Sequence, residues 1–157
     1  MADLRHRFDE LRSADPAHPA DLDALWAELP PVSVDQVLGA WRGGDFATGH
    51  VASSVLAKVR WHGKRFDAPL DAKPLICRDD SGNLYSNLAA GGGAEASLWP
   101  VEFRGETTAT MVYDAMPVLD HFKAVDPRTL MGIMNGKLET AFGVTDLYYF
   151  WLEREDG

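Results

Sequence analysis

Apolar residues keep helical spacing in the first part of the chain and strand spacing in the last part. Leu4, Phe8 and Leu11 share one helical face, and Leu22, Leu25, Trp26 and Leu29 share another. Pro19 suits the first turn of the second helix, and Pro30 with Pro31 ends it. Ser33 and Gln36 have the spacing of a capping box, so a short third helix is predicted, stopped by Gly39. A further helix is predicted over residues 53–61, and "HGKRFDAP" after it reads as a loop.

Beyond Pro74 the period shortens to two. "PLICRDDSGNLYSN" reads as a hairpin turning at residues 79–83, and residues 89–96, "AAGGGAEA", read as a flexible loop. Five strands then follow in close succession: "LWPVEFR", "ETTATMVYD", "PVLDHFKAV", "TLMGIMNG" and "DLYYFWLER". Gly105, "DAMP", "DPRT" and "AFGVT" are the turns between them, and links this short join antiparallel partners. With the hairpin and a strand at residues 40–47, the total is about eight, the number at which a meander closes around one small ligand. The expected fold is therefore mainly β (α+β): a roughly eight-stranded antiparallel barrel with external N-terminal helices. Residues 1–32 would form the helical layer and residues 33–157 the barrel, within one structural domain.

Strand alternation assigns an interior. If "DAMP" is a hairpin turn, Tyr113 faces Val118 and Met111 faces Asp120. If "DPRT" turns on Pro127 and Arg128, Phe122 faces Ile133, Ala124 faces Met131 and Asp120 faces Asn135. The predicted interior is then Met111, Tyr113, Val118, Asp120, Phe122, Met131, Ile133 and Asn135, whereas Thr108, Thr110, His121 and Lys123 face outward. A three-residue loop at Pro127 would reverse the last partner. The final strand is apolar on both sides, Tyr149 and Trp151 on one and Tyr148, Phe150 and Leu152 on the other, so one side is expected to meet the interior and the other a helix face supplied by Leu22, Leu25 and Trp26.

"GAWRGGDFATGH", residues 39–50, sets Trp41 among glycines. Glycines at a barrel's first strand permit a sharp bend and close approach, and a tryptophan there can plug one end. The segment "GAWRG", with "WHGKRF" and "MVYDAMPVLDHFKAVD", resembles the bacterial GXWXG-motif proteins, which carry a C-terminal domain of unknown function. Gly39, Trp41 and Gly43 carry the motif, and the resemblance spans roughly residues 20–155. A glycine-x-tryptophan on the first strand is also similar to lipocalins and to nitrobindin-like haem barrels. That similarity implies a lipocalin-like calyx for a hydrophobic ligand or a haem, and an arginine from the last strand, Arg154, lying over Trp41.

Composition narrows the partners. The formal net charge is −9 with no basic cluster, which argues against nucleic acid and anionic membrane surfaces. Cys77 is the single cysteine, so neither an internal disulfide nor a cysteine-rich metal site is expected. A charged N-terminal segment and the lack of any long apolar run point to a cytoplasmic protein without stable membrane insertion. A homodimer is left open.

Catalytic motifs are scarce. His50 and His62 flank a predicted helix near Asp45, but scattered histidines more often pack or face solvent. "RDDSGN" matches only part of a calcium loop, so a plain turn is expected. Asp120 is the most informative residue, since a carboxylate in an apolar interior needs partners. Asn135, Tyr113, Lys64, Arg65 and Arg154 are the candidates. The leading expectation is a binding protein for a hydrophobic or amphipathic small molecule, such as a fatty acid or phospholipid, held by Trp41 and the interior residues with no cofactor. The alternative is a small enzyme using Asp120 and Tyr113 as acid–base groups. A haem barrel comes third, since His121 points outward and no histidine follows it.

Overall fold

The computed structural model describes residues 3–155. Helices α1 (Leu4–Ser13) and α2 (Pro19–Glu28) form where the apolar spacing places them. Asp3 caps the first by accepting from the His6 N–H, and Pro19 opens the second. Helix α3 (Val34–Val37) carries the Ser33/Gln36 capping box. Helix α4 (Val51–Lys58) starts earlier than expected because the His50 ring accepts the Ala52 N–H.

Nine strands follow among the described residues: β1 (Gly39–Asp45), β2 (Trp61–Ala68), β3 (Asp71–Arg78), β4 (Leu84–Ser86), β5 (Ala96–Phe103), β6 (Glu106–Tyr113), β7 (Val118–Asp126), β8 (Thr129–Gly136) and β9 (Tyr148–Arg154). All pair antiparallel, and the β2–β3 pairing closes the sheet into a ring. The ring has eight staves, because β4 is a short appendage on the edge of β3. The fold is thus mainly β and barrel-like, with the helices outside.

Three expectations need correction. The "HGKRFDAP" segment is strand β2, not a loop. Its alternation is hidden because one inward residue, Lys64, is charged. The expected turn "AFGVT" overlaps a short helix α5 (Leu138–Phe142), whose last two residues are Ala141 and Phe142. The third correction concerns register. The turn at Pro127 and Arg128 does leave Asp126 opposite Thr129, but a bulge lies between Ala124 and Asp126, so Ala124 pairs with Leu130. One inserted residue flips a strand's faces. Asp120 therefore pairs with Met134, and Leu130, Gly132 and Met134 are the inward residues of β8. Met131 and Ile133 sit under the helices instead. Asn135 also leaves the interior, and its Oδ1 lies 2.6 Å from Nε2 of the outward His121. The earlier hairpin is as expected, with Met111 opposite Asp120.

Two apolar clusters result. One fills the barrel with Trp41, Phe66, Met111, Val118, Phe122, Phe150 and Leu152, among others. The other joins Phe8, Leu22, Leu25 and Trp26 to Met131, Ile133, Tyr149 and Trp151 across the outer face. The last strand thus buries both its sides, as its pattern required.

One end of the barrel is closed by α3, which leads into β1. The Trp41 indole donates to the Val37 carbonyl at 2.8 Å. Arg154, paired opposite Trp41, lies with its guanidinium carbon 4.2 Å from the indole centroid. Its Nη1 donates to the Leu38 carbonyl at 2.7 Å and its Nη2 to the Gln36 carbonyl at 2.8 Å. The carbonyls that a helix end leaves open are satisfied by these two side chains. Because Arg154 and Trp41 share one stack and one helix end, their losses should not add. Trp41→Phe and Arg154→Ala are expected to couple by about 0.5–2 kcal/mol in a double-mutant cycle read from denaturant midpoints. Strict additivity would contradict the shared plug.

Candidate functional site

The opposite end of the barrel holds a cavity of about 60 Å³. Helix α4 follows the far end of β1 and covers the opening with Ala52, Val55 and Leu56, joined by Val59 at its C-cap. Phe142 of α5, Met116 of the β6–β7 turn and Ala90 complete the cover. Below them lie Trp61, Leu75, Met134, Tyr148 and Phe150, and at the floor Lys64, Tyr113 and Asp120. One water needs about 10–15 Å³ of such space, so the cavity as it stands takes roughly four to six heavy atoms.

The floor is charged. Lys64 Nζ lies 3.0 Å from Asp120 Oδ2, with side-chain exposures of 3% and 0%. Lys64 also donates to the Pro74 carbonyl at 3.3 Å and lies 3.5 Å from the Tyr113 hydroxyl. Three rings surround the ammonium: Phe150 at 5.3 Å, Trp61 at 5.5 Å and Tyr113 at 5.7 Å to their centroids. Tyr113 donates toward the same Asp120 oxygen at 3.5 Å. The other oxygen, Oδ1, is buried with no hydrogen-bond partner. Burial pushes the Asp120 carboxyl above its ordinary pKa, against the opposing pull of Lys64. Burial, and then the Asp120 charge, pushes the Tyr113 hydroxyl well upward, so it remains a donor.

Nearby, Asp45 accepts from the Ser53 hydroxyl at 2.6 Å and the Tyr148 hydroxyl at 2.7 Å. This ties α4 to β1 and β9 at the rim of the cavity. His50 is spent on capping α4 and on the Asp146 carbonyl, and His62 pairs with Glu155. The Asp79 carboxylate accepts the Ser81 and Asn83 N–H groups, an ordinary turn. No group of three or more His, Cys, Asp or Glu side chains suited to a metal occurs among the described residues.

Of the residues expected at the site, Tyr113 and Asp120 line the cavity. Trp41, Met111, Val118 and Phe122 belong to the packed interior beyond it. Met131, Ile133 and Asn135 are displaced by the bulge. Of the cationic candidates Lys64, Arg65 and Arg154, Lys64 is the one that pairs with Asp120. Trp61, Leu56, Phe142 and Met134 also line the cavity without a site signal in the sequence. Trp61 and Phe142 lie in segments that read as a helix end and a turn, and Met134 falls on the outer face in the register without the bulge.

The glycine-tryptophan segment has a steric logic. Gly39, Trp41 and Gly43 take alternate positions along β1 and so point the same way. A Cβ on Gly43 would lie 2.2 Å from the Trp61 ring, and one on Gly39 would lie 2.6 Å from Arg154 Nη1. Small–large–small spacing makes room for the Arg154 guanidinium and the Trp61 ring at the two positions that flank Trp41. Residues 24–82 match the model of the GXWXG proteins, and residues 94–154 match a domain of unknown function (DUF4334). The chain belongs to the GXWXG family. Within that family's motif, the two glycines are the places where Arg154 and Trp61 press on the strand. A solved structure described as a protein from Thermomonospora curvata is 36% identical, with a TM-score of 0.87 over 99% of this chain and 100% of that one. No curated protein matches.

The floor pair makes a sharp stability prediction. Removing one partner strands a buried charge, so Lys64→Met or Asp120→Leu alone should cost about 3–5 kcal/mol. The double variant should be as stable as the wild type or more so, by up to about 4 kcal/mol. Urea unfolding of the four proteins checks this, and a double variant as unstable as the sum of the singles would contradict it.

Proposed function

We propose that the protein binds a small amphipathic molecule in the capped end of its barrel. The observation that carries this reading is Asp120 Oδ1, a buried carboxylate oxygen without a hydrogen-bond partner, on a residue that lines a largely apolar cavity. Small-molecule sites are typically apolar with a few placed polar groups, and this cavity has that character. A buried ion pair is a poor way to stabilise a core, so its position beneath a cavity favours a recognition role.

The chemistry of the floor sets the ligand class. Lys64 and Asp120 together are neutral, so neither an anionic nor a cationic head group gains from them. An unpartnered acceptor calls for a donor, so a hydroxyl suits it best. The cavity volume sets the length. An acyl chain of about ten methylenes, the lipid form of the expectation, exceeds roughly six heavy atoms and would enter only with α4 displaced. No helix among the described residues is long and apolar enough to cross a membrane, and we take the site to serve a cytoplasmic ligand. A second reading is supported by the Tyr113 hydroxyl, which lies 3.5 Å from both Lys64 Nζ and Asp120 Oδ2. It makes the floor an acid–base group acting on the bound molecule.

Titration with 1-butanol, butylamine, butyrate and 1-dodecanol, followed by amide chemical shifts, tests the proposal. Burying about four methylenes at roughly 0.8 kcal/mol each, with one hydrogen bond, puts 1-butanol near a millimolar Kd. Butylamine and butyrate should bind more weakly. Asp120→Asn should weaken 1-butanol about tenfold or more, and Met134→Trp should abolish its binding by filling the cavity. Unchanged binding in Met134→Trp, or no shift at residues lining the cavity with any of the four, would overturn the reading.

A further inference from the structure

The floor of the cavity holds a nucleophile that binding alone does not need. Lys64 is the only primary amine on the cavity wall, and it is almost wholly enclosed. We propose that Lys64 forms a Schiff base with small aliphatic aldehydes or ketones that enter the cavity, with Asp120 moving the protons. This rests on the container reading and names the reactive class of its ligand.

The geometry supplies each step. Lys64 Nζ and Asp120 Oδ2 are 3.0 Å apart, within reach of direct proton transfer. Passing the ammonium proton to the carboxylate removes both buried charges and frees the amine lone pair. Burial pushes the Asp120 carboxyl above its ordinary pKa, which eases this transfer. The amine nitrogen then bonds to the carbonyl carbon. The π pair goes to oxygen, which takes the proton from the Asp120 carboxyl. The added nitrogen returns one proton to Asp120, leaving a neutral carbinolamine. Asp120 then protonates the carbinolamine hydroxyl, the C–O bond breaks, and water leaves. The product is a protonated imine beside an Asp120 carboxylate, so the buried ion pair is restored and no oxidant or reductant is consumed. Tyr113, protonated and near both groups, can donate to the oxygen at the addition step. The rings of Trp61, Tyr113 and Phe150, which face the ammonium, would face the cationic imine nitrogen in its place.

The cavity volume selects short substrates. Butanal has five heavy atoms, of the size the space admits, and its alkyl chain would lie toward Leu56 and Met134.

The test is reductive trapping. The protein is treated with butanal and sodium cyanoborohydride near neutral pH, and butylated lysines are mapped by peptide mass spectrometry over time. Lys58 and Lys137, both exposed, serve as internal references for ordinary surface amines. The expected result is butylation of Lys64 at least about tenfold faster than of either reference. Asp120→Asn should slow labelling of Lys64 by about a hundredfold, the scale of acid–base assistance, without changing the references. Because Asp120→Asn also strands a charge, competition in the wild type gives an independent check: 1-butanol should slow labelling of Lys64 only. Equal or slower labelling of Lys64 in a protein that still binds 1-butanol overturns the Schiff-base inference and leaves the container standing. Failure of both 1-butanol binding and Lys64 labelling overturns both.

Discussion

A lysine and an aspartate buried together inside a β-barrel impose conditions on everything around them. At 3.0 Å the pair attracts strongly in a medium of low dielectric, yet each ion has given up its hydration. The structure repays part of that loss with the Pro74 carbonyl, the faces of three aromatic rings and the Tyr113 hydroxyl. It does not repay all of it, since one Asp120 oxygen is left unpartnered. An apolar pair of similar size would avoid the cost altogether. The polar floor is therefore explained by what it can meet rather than by what it stabilises.

The rest of the barrel encloses that floor. At the α3 end, Trp41 and Arg154 bind three consecutive carbonyls of a short helix terminus and seal the interior. The glycines of β1 make room for this packing, because side chains on Gly39 and Gly43 would strike Arg154 and Trp61. Trp61 thus connects the two halves of the account. It lies against the motif glycine, donates its indole N–H to the Pro74 carbonyl and forms one wall of the cation's surroundings. Lys64 uses that same Pro74 carbonyl. The family's signature segment is in this way a structural support for the cavity, reached through one tryptophan. The α4 end is covered more lightly, by a helix whose Val51 and Val55 are exposed, which makes it the natural side of entry.

Much of this could be read in the chain. The antiparallel meander followed from short links between alternating strands, but the eight strands legible there include the appendage β4 and omit the stave β2; the outer helical layer followed from the two apolar faces of β9. The β6–β7 register was legible because a tight turn fixes it, and it brought Tyr113 and Asp120 to the interior together. The features without a legible pattern have two physical causes. A bulge between Ala124 and Asp126 has no sequence marker, yet it exchanged Met131, Ile133 and Asn135 for Leu130, Gly132 and Met134. Strand β2 was hidden by the very residue that matters most there: an inward lysine breaks the apolar alternation by which strands are recognised. Sites written in charged residues on inner faces will tend to look like loops.

The central claim is that the open oxygen of Asp120 awaits a ligand donor. A crystal structure of the protein soaked in 1-butanol tests it most directly. The account predicts the alcohol within the cavity beneath α4, its oxygen about 2.5–3.0 Å from Asp120 Oδ1 and its chain against Met134 and Phe142. A cavity without the alcohol, with Oδ1 held instead by a donor from the protein itself, would contradict it.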